Sequence, residues 1–231
     1  MDWPTLFPYV IGGILVLAVV FKIVGVIRDR KRREANAELA RARGFDYRQE
    51  DPSLISLGST EPFNRGFGRR ARGATRGTYR NREFVSFGYS YYTESRDSDG
   101  KTTRSYSYYV VTAVDIGAHL PLIKMTPQGW GDSLVKAFGG RDLEVESAAF
   151  NDRWLVWTKE EKVAHSLLAP DMIAQLLKPE YEKFPLIIEL GRVYTYASGK
   201  QDLTTLDERL DPLVDFLDEI PAFVLKDHRS D

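Results

Sequence analysis

Cysteine is missing from all 231 residues, and histidine appears only three times, as His119, His165 and His228. Without thiols the chain forms no disulfide, runs no thiolate catalysis and builds no zinc-finger framework or cysteine-ligated iron–sulfur cluster. Three scattered histidines give little from which to assemble a metal site, so neither metal nor cofactor is expected. Catalytic signatures are also missing: there is no G-x-x-x-x-G-K-[ST], no G-x-S-x-G and no H-E-x-x-H. No repeat recurs at a fixed period. Disorder is excluded in turn, because 43% of the residues are hydrophobic and 12% aromatic.

The strongest positive signal is an uncharged stretch. Leu6–Ile27 contains one charge in 22 residues, Lys22. As a helix it would be about 33 Å long, enough for a bilayer core. Lys22 sits near one end, where its stem can snorkel to headgroups, and Trp3 and Tyr9 sit near the other, where interfacial aromatics belong. A cleavable leader needs a positive n-region and a small-residue cleavage site. Met1–Pro8 has Asp2 and no base, and the run ends in Arg28-Asp29-Arg30-Lys31-Arg32-Arg33. The sequence therefore predicts a membrane anchor over residues 1–27, with the N-terminus outside and the rest cytoplasmic. The missing cysteine accords with that reducing compartment.

Beyond the run, charge is unevenly spread. Residues 28–82 hold 15 bases and 7 acids, net +8, whereas residues 83–231 hold 16 bases and 25 acids, net -9. Between Glu61 and Glu83 lie seven arginines and no acid: Arg65, Arg69, Arg70, Arg72, Arg76, Arg80 and Arg82. Candidate contacts to anionic lipid headgroups or to a partner are therefore Arg28, Arg30, Lys31, Arg32, Arg33, Arg65, Arg69, Arg70, Arg72 and Arg76. The competing reading is a solvated basic surface.

Residues 28–60 read as a basic juxtamembrane helix through Arg43, capped at Gly44, followed by an irregular connector over Phe45–Glu61. Residues 61–231 read as an α+β domain whose antiparallel sheet is packed by helices. Period-two patterns over Phe84–Tyr92 and Thr103–Ile116 predict a long hairpin. Strands are expected at Leu120–Met125, Leu143–Phe150, Trp154–Thr158, Leu186–Leu190 and Arg192–Tyr196. Helices are expected at Gln128–Phe138, Glu160–Leu168 and Pro170–Leu177. Leu203, Leu206, Leu210, Leu213, Leu217 and Ile220 form a helical stripe that Pro212 should kink or restart at Asp211.

Several motifs tempt. Gly66-Phe67-Gly68 opens a G-x-G-x-x-G, but its sixth position is Ala71. Arg65-Gly66-Phe67-Gly68 matches the first half of an RNA-binding RNP1 strand, yet continues Arg69-Arg70-Ala71-Arg72 instead of an aromatic strand. That departure counts against RNA, and nothing points to DNA. Asp115 and His119 have a spacing open to acid–base work, but read as connector residues. His165 reads as a partly buried structural histidine. Asp97-Ser98-Asp99-Gly100 lacks the rest of a calcium loop and reads as a turn.

Glu146-Ser147-Ala148-Ala149-Phe150-Asn151-Asp152-Arg153-Trp154-Leu155-Val156 resembles a recurring piece of a mainly actinobacterial family of single-span membrane proteins. Ala164, Leu167-Leu168-Ala169-Pro170-Asp171-Met172, Leu176-Leu177, Leu120-Pro121, Thr126-Pro127 and Ile220-Pro221 also fit. The resemblance covers about Val110–Leu225 and the N-terminal run. It implies a bacterial plasma-membrane setting and a cytoplasmic α+β domain of unknown function, with no catalytic residue to carry over. The expectation is a non-enzymatic accessory, scaffold or assembly subunit of an integral membrane complex, a respiratory one among the candidates. The alternative is a module that binds anionic lipid or RNA through Arg65–Arg82. An enzyme built on unpaired carboxylates is the third class.

Overall fold

The computed structural model describes the backbone of residues 3–130 and 143–229, and the side chains from Leu17 onward within them, Ala18 excepted. A 40-residue helix, α1 (Trp3–Ala42), opens the chain. Among the described residues no helix is long and apolar enough to cross a membrane. The anchor expected over Leu6–Ile27 is thus not borne out by the structure, and most of its side chains lie outside those described. What is described is exposed: Leu17, Val19, Val20, Phe21, Ile23, Val24, Val26 and Ile27 all face outward.

After α1 come β1 (Asp46–Glu50), β2 (Phe67–Tyr79), β3 (Arg82–Arg96), β4 (Thr102–Asp115) and β5 (Ile123–Pro127). Then follow α2 (Ala148–Asn151), β6 (Trp154–Thr158), α3 (Glu161–Leu167), α4 (Pro170–Leu176), β7 (Leu186–Glu189), β8 (Arg192–Ser198), α5 (Asp207–Asp218) and α6 (Ala222–Asp227). The described strands make one antiparallel sheet in the order β1-β2-β3-β4-β8-β7-β5-β6. The α+β expectation holds at that level.

The β3–β4 hairpin is longer than its pattern announced, because polar residues out to Arg96↔Thr102 stay paired. Two tight turns explain the sheet's register. Tyr79↔Arg82 and Glu189↔Arg192 each enclose two residues with positive φ, Arg80-Asn81 and Leu190-Gly191. Two left-handed residues match the twist of a two-residue hairpin.

Where the sequence predicts a connector and an arginine-rich surface, the structure has β1 and β2. Buried Ala71 and Ala74 line the inner side of β2. Its alternation is between arginine and small residues, so it lacks the large apolar signal of a strand. At Gly73 the register with β3 shifts and φ is +64°. A Cβ there would run into the Gln201 side-chain oxygen, so only glycine fits this bulge.

One face of the sheet carries α1, α3, α4, α5 and α6 over Phe84, Val114, Ile123, Met125 and Val193. The other carries the 51–63 segment, whose Leu54, Leu57 and Phe63 pack on Val85, Phe87, Tyr89, Val111 and Tyr194. Glu189 clamps that segment: its carboxylate accepts from Ser59 N, Ser59 Oγ and Tyr194 OH at 3.0, 2.6 and 2.6 Å.

The family-like segment has structural work throughout. Ser147 caps α2, Phe150 is buried and stacked on Trp154, and Asn151 grips both backbone groups of Val145. The strand expected over Leu143–Phe150 is replaced by this cap and short helix, because Ser147 offers its oxygen to Phe150 N. The strand expected at Leu120–Met125 is β5, which starts at Ile123 and has Pro127 as its last residue. The expected helix over Gln128–Phe138 lies mostly outside the described residues; Gln128 and Gly129 are a turn. Helix α5 runs through Pro212 and starts at Asp207, so the predicted restart at Asp211 does not occur.

All six residues of the helical stripe are buried. Leu210→Ala should cost about 2–5 kcal/mol. Chemical denaturation of the full chain in detergent should show that loss as a lowered midpoint with unchanged slope.

Candidate functional site

Helix α1 does not end at the apolar run. Its second half lies on the sheet, with Asn36, Ala37 and Ala40 buried. Asn36 donates Nδ2 to Gln201 O at 3.0 Å and accepts from Leu203 N at 3.1 Å. These two bonds lock the helix to the segment joining β8 and α5. About two turns earlier, Asp29 accepts from Lys200 Nζ at 2.6 Å and from Arg32 at 2.8 Å. Burial raises the Asp29 pKa, but the Lys200 and Arg32 bonds and charges win and hold it below the usual range.

Between α1 and the sheet lies a cleft of about 110 Å³. Its cations are Arg32, Arg33, Arg72 and Lys200, against the single carboxylate of Asp29. Tyr47 and Tyr108 also line it, while Tyr89 and Tyr109 border it but turn their rings to the opposite face of the sheet, and Gly73, Gly88 and Gly199 complete the lining. Such a lining can receive an anionic or sugar-like group by charge and by tyrosine contact. Nothing in it makes a nucleophile–base pair.

The predicted basic residues divide. Arg32, Arg33 and Arg72 meet at this cleft. Arg30 pairs with Glu34 at 2.8 Å, Arg65 with Glu61 at 3.4 Å, Arg72 with Glu50 at 2.8 Å and Arg76 with Asp51 at 2.8 Å. Arg80 and Arg82 reach across to Asp215 and Asp218 on α5, at 2.6 and 2.7 Å. Arg69 turns to Gly66 O. Arg28, Lys31 and Arg70 are exposed. Five of the seven arginines of the cluster thus hold carboxylates of their own chain.

A buried polar group that sequence reasoning missed lies under the 51–63 segment. Burial raises the Glu61 pKa against the charges of Arg65 and Lys124, and lowers that of Lys124. Burial also pushes Tyr109 and Tyr196 far up. Lys124 alternates with apolar neighbours in β5, and that position was the only available hint.

Other sequence candidates are not brought together. Asp115 accepts from Gly117 N at 2.8 Å and closes its own turn, while His119 is exposed. His165 is exposed, not core, because it occupies the outer side of α3 whose inner side is Ala164 and Leu167. Asp97 does make a turn, accepting from Asp99 N and Lys101 N. Among the described residues no three histidines or carboxylates could hold a metal ion.

No family model matches the chain, and no curated protein matches it. A solved structure does: the crystal structure of the mycobacterial trehalose monomycolate transport factor A, TtfA. The two chains are 14% identical and superpose with a TM-score of 0.55 over 83% of this chain and 95% of that one. At that identity the likeness concerns the fold. Its mycobacterial source is compatible with the actinobacterial resemblance, and no family is assigned.

Asn36→Ala should leave Gln201 O and Leu203 N buried without partners, at a cost of about 1–3 kcal/mol. Limited trypsin digestion should then cut the basic stretch of α1 faster than in the parent chain. A second outcome concerns Asp51, whose side chain accepts from Ser53 and Arg76 and whose pKa these bonds lower despite burial. A lowered carboxylate stabilises the fold above its unfolded pKa, about 3.9, and loses that as pH falls through the folded value. Asp51→Asn should cost about 1–2 kcal/mol at neutral pH, and denaturation midpoints of the two proteins should converge as pH falls below the ordinary carboxylate range.

Proposed function

We propose that the chain is a membrane-anchored, non-enzymatic accessory subunit of a bacterial plasma-membrane complex. The observation that carries this reading is the continuity of α1. One helix joins an apolar run to a basic stretch that is bolted to the sheet through Asn36 and Asp29. The exposed apolar side chains of Leu17–Ile27 then find their solvent in lipid, and the domain is held at a fixed pose below the headgroups. The basic flank orients the domain toward the cytoplasm. The likeness to a trehalose monomycolate transport factor turns the reading toward a complex that moves a lipid, and away from a respiratory one.

The alternative, a stripe of free arginines reading RNA or lipid phosphate, is disfavoured by the five arginines that already hold carboxylates.

Because the chain has no cysteine, Lys226→Cys supplies a single thiol on an exposed site. In intact cells a membrane-impermeant maleimide should leave it unlabelled, and lysis should expose it. Labelling from outside would overturn the orientation. Release of the chain from membranes by alkaline carbonate would overturn the anchor. Blue-native electrophoresis after mild detergent should place the chain in an assembly far above 26.3 kDa; migration as a lone chain would overturn the accessory role.

A further inference from the structure

Outside α1, five described large apolar or aromatic side chains are strongly exposed: Phe67, Tyr106, Tyr108, Leu190 and Phe223. Two of them, Phe67 and Tyr106, are joined through Tyr92, and Tyr108 follows Tyr106 along β4. Phe67 meets Tyr92 with ring centres 6.1 Å apart, and Tyr92 meets Tyr106 at 5.6 Å. Tyr106 and Tyr108 are two apart on β4, so both project from the same face. That is the face on which α1 lies, since Val110 and Thr112 continue the series toward Val114 beneath the helices. At its inner end the row touches the helix. Lys200 sits 5.6 Å from the Tyr108 ring centre while its ammonium holds Asp29, two residues past the last apolar residue of the run.

We infer that this aromatic row, Phe67–Tyr92–Tyr106–Tyr108, is a second membrane contact that lays the projecting β3–β4 ribbon against the lipid headgroups. The inference rests on the anchor proposed above. Its occupant follows from continuity and chemistry. A surface that begins at the point where the apolar helix leaves the fold meets whatever solvent that helix is in. Tyrosine, with an apolar ring and a polar tip, is the side chain that settles at a bilayer interface. Cations flank the row where phosphates would lie: Arg104 over the Tyr92 ring at 4.6 Å, Lys200 over Tyr108, and exposed Arg69 and Arg70. The ribbon beyond carries Glu94, Asp97 and Asp99 against Arg96, Lys101 and Arg104, so charge neither drives it into lipid nor holds it off. A nucleic-acid platform fits less well. The rings tilt against one another by 40° and 54° instead of lying flat for bases.

The test uses the full chain reconstituted in vesicles of phosphatidylcholine with phosphatidylglycerol. Single cysteines at Phe67→Cys, Tyr106→Cys, Asp171→Cys and Val20→Cys each carry an environment-sensitive fluorophore. Far-ultraviolet circular dichroism checks that each is folded. Nitroxide lipids labelled at the headgroup should quench positions 67 and 106 and leave 171, near the opposite sheet edge, bright. Nitroxides deep in the acyl chains should quench position 20. If 67 and 106 stay as bright as 171 while 20 is quenched, the row does not touch lipid and the anchor stands. If 20 is not quenched, the anchor falls, and quenching at 67 and 106 alone would keep the row as a peripheral contact. Positions that stay bright in vesicles yet resist maleimide in native membranes would assign the row to a protein. A response to single-stranded RNA without one to vesicles would assign it to nucleic acid. Either result overturns the inference.

Discussion

A buried asparagine holds the two halves of this protein in one pose. Asn36 reaches from α1 into the segment between β8 and α5, giving a donor to Gln201 O and an acceptor to Leu203 N. Neither backbone group has another place to go in that interior, and an unpaired one there is costly. A leucine in place of Asn36 would pack, but would not choose the register of α1 on the sheet. The side chain of Gln201 extends the same seam, donating to Ser86 O on β3. The direction in which the apolar run leaves the domain is therefore set by hydrogen bonds in the core, not by a hinge. The surface pair Lys200–Asp29 adds orientation more than stability, as half-exposed ion pairs are worth only about 0–1 kcal/mol.

Charge segregation along the chain has a simple resolution in space. The basic stretch through β2 and the acidic last third are distant in sequence and meet at the β2–β3 turn. There Arg80 lies within 4 Å of Asp211, Asp215 and Asp218. Tyr79 donates to Asp211 as well, and that bond is the first cause of its pKa being pushed up to about 12. The stripe of α5 that faces water is thus given a counter-surface, while its leucines face the sheet. This arrangement fixes which strand α5 crosses and leaves only a few cations of the arginine cluster open. It is also why a count of basic residues does not tell how many of them stand free of carboxylates.

The legible parts were those where one property repeats at a structural period. The leucine stripe of α5 and the Tyr/Val alternation of β3 and β4 each bury one face of large side chains, so pattern and core coincide. Strands β1 and β2 were illegible for the converse reason. Their inward positions include Ala71, Gly73 and Ala74, small enough to accept the 51–63 segment and Gln201, so burial left no hydrophobic trace. Pro212 misled because a proline inside a helix removes one hydrogen bond without requiring a break when packing holds both sides. Leu210, Leu213 and Val214 are all buried around it. Of the candidate site, Arg32, Arg33 and Arg72 were nameable from charge alone. Tyr47, Lys200 and Asn36 were not, because they reach the cleft from a strand, a turn and a helix that only the folded sheet brings together.

The cleft and the aromatic row share Tyr108 and Lys200, and that overlap has a geometric consequence. A group bound between Arg32, Arg33 and Lys200 would lie beside the row, at the height where α1 leaves the fold. With the apolar run in a bilayer, as proposed, headgroups would lie at that height, beside the mouth of the cleft. Occupying it with an anion would compete for Lys200 against Asp29, at the one ion pair that links the row to the helix. The Lys200 ammonium is therefore shared between the Asp29 carboxylate and the Tyr108 ring, where the cleft and the row meet.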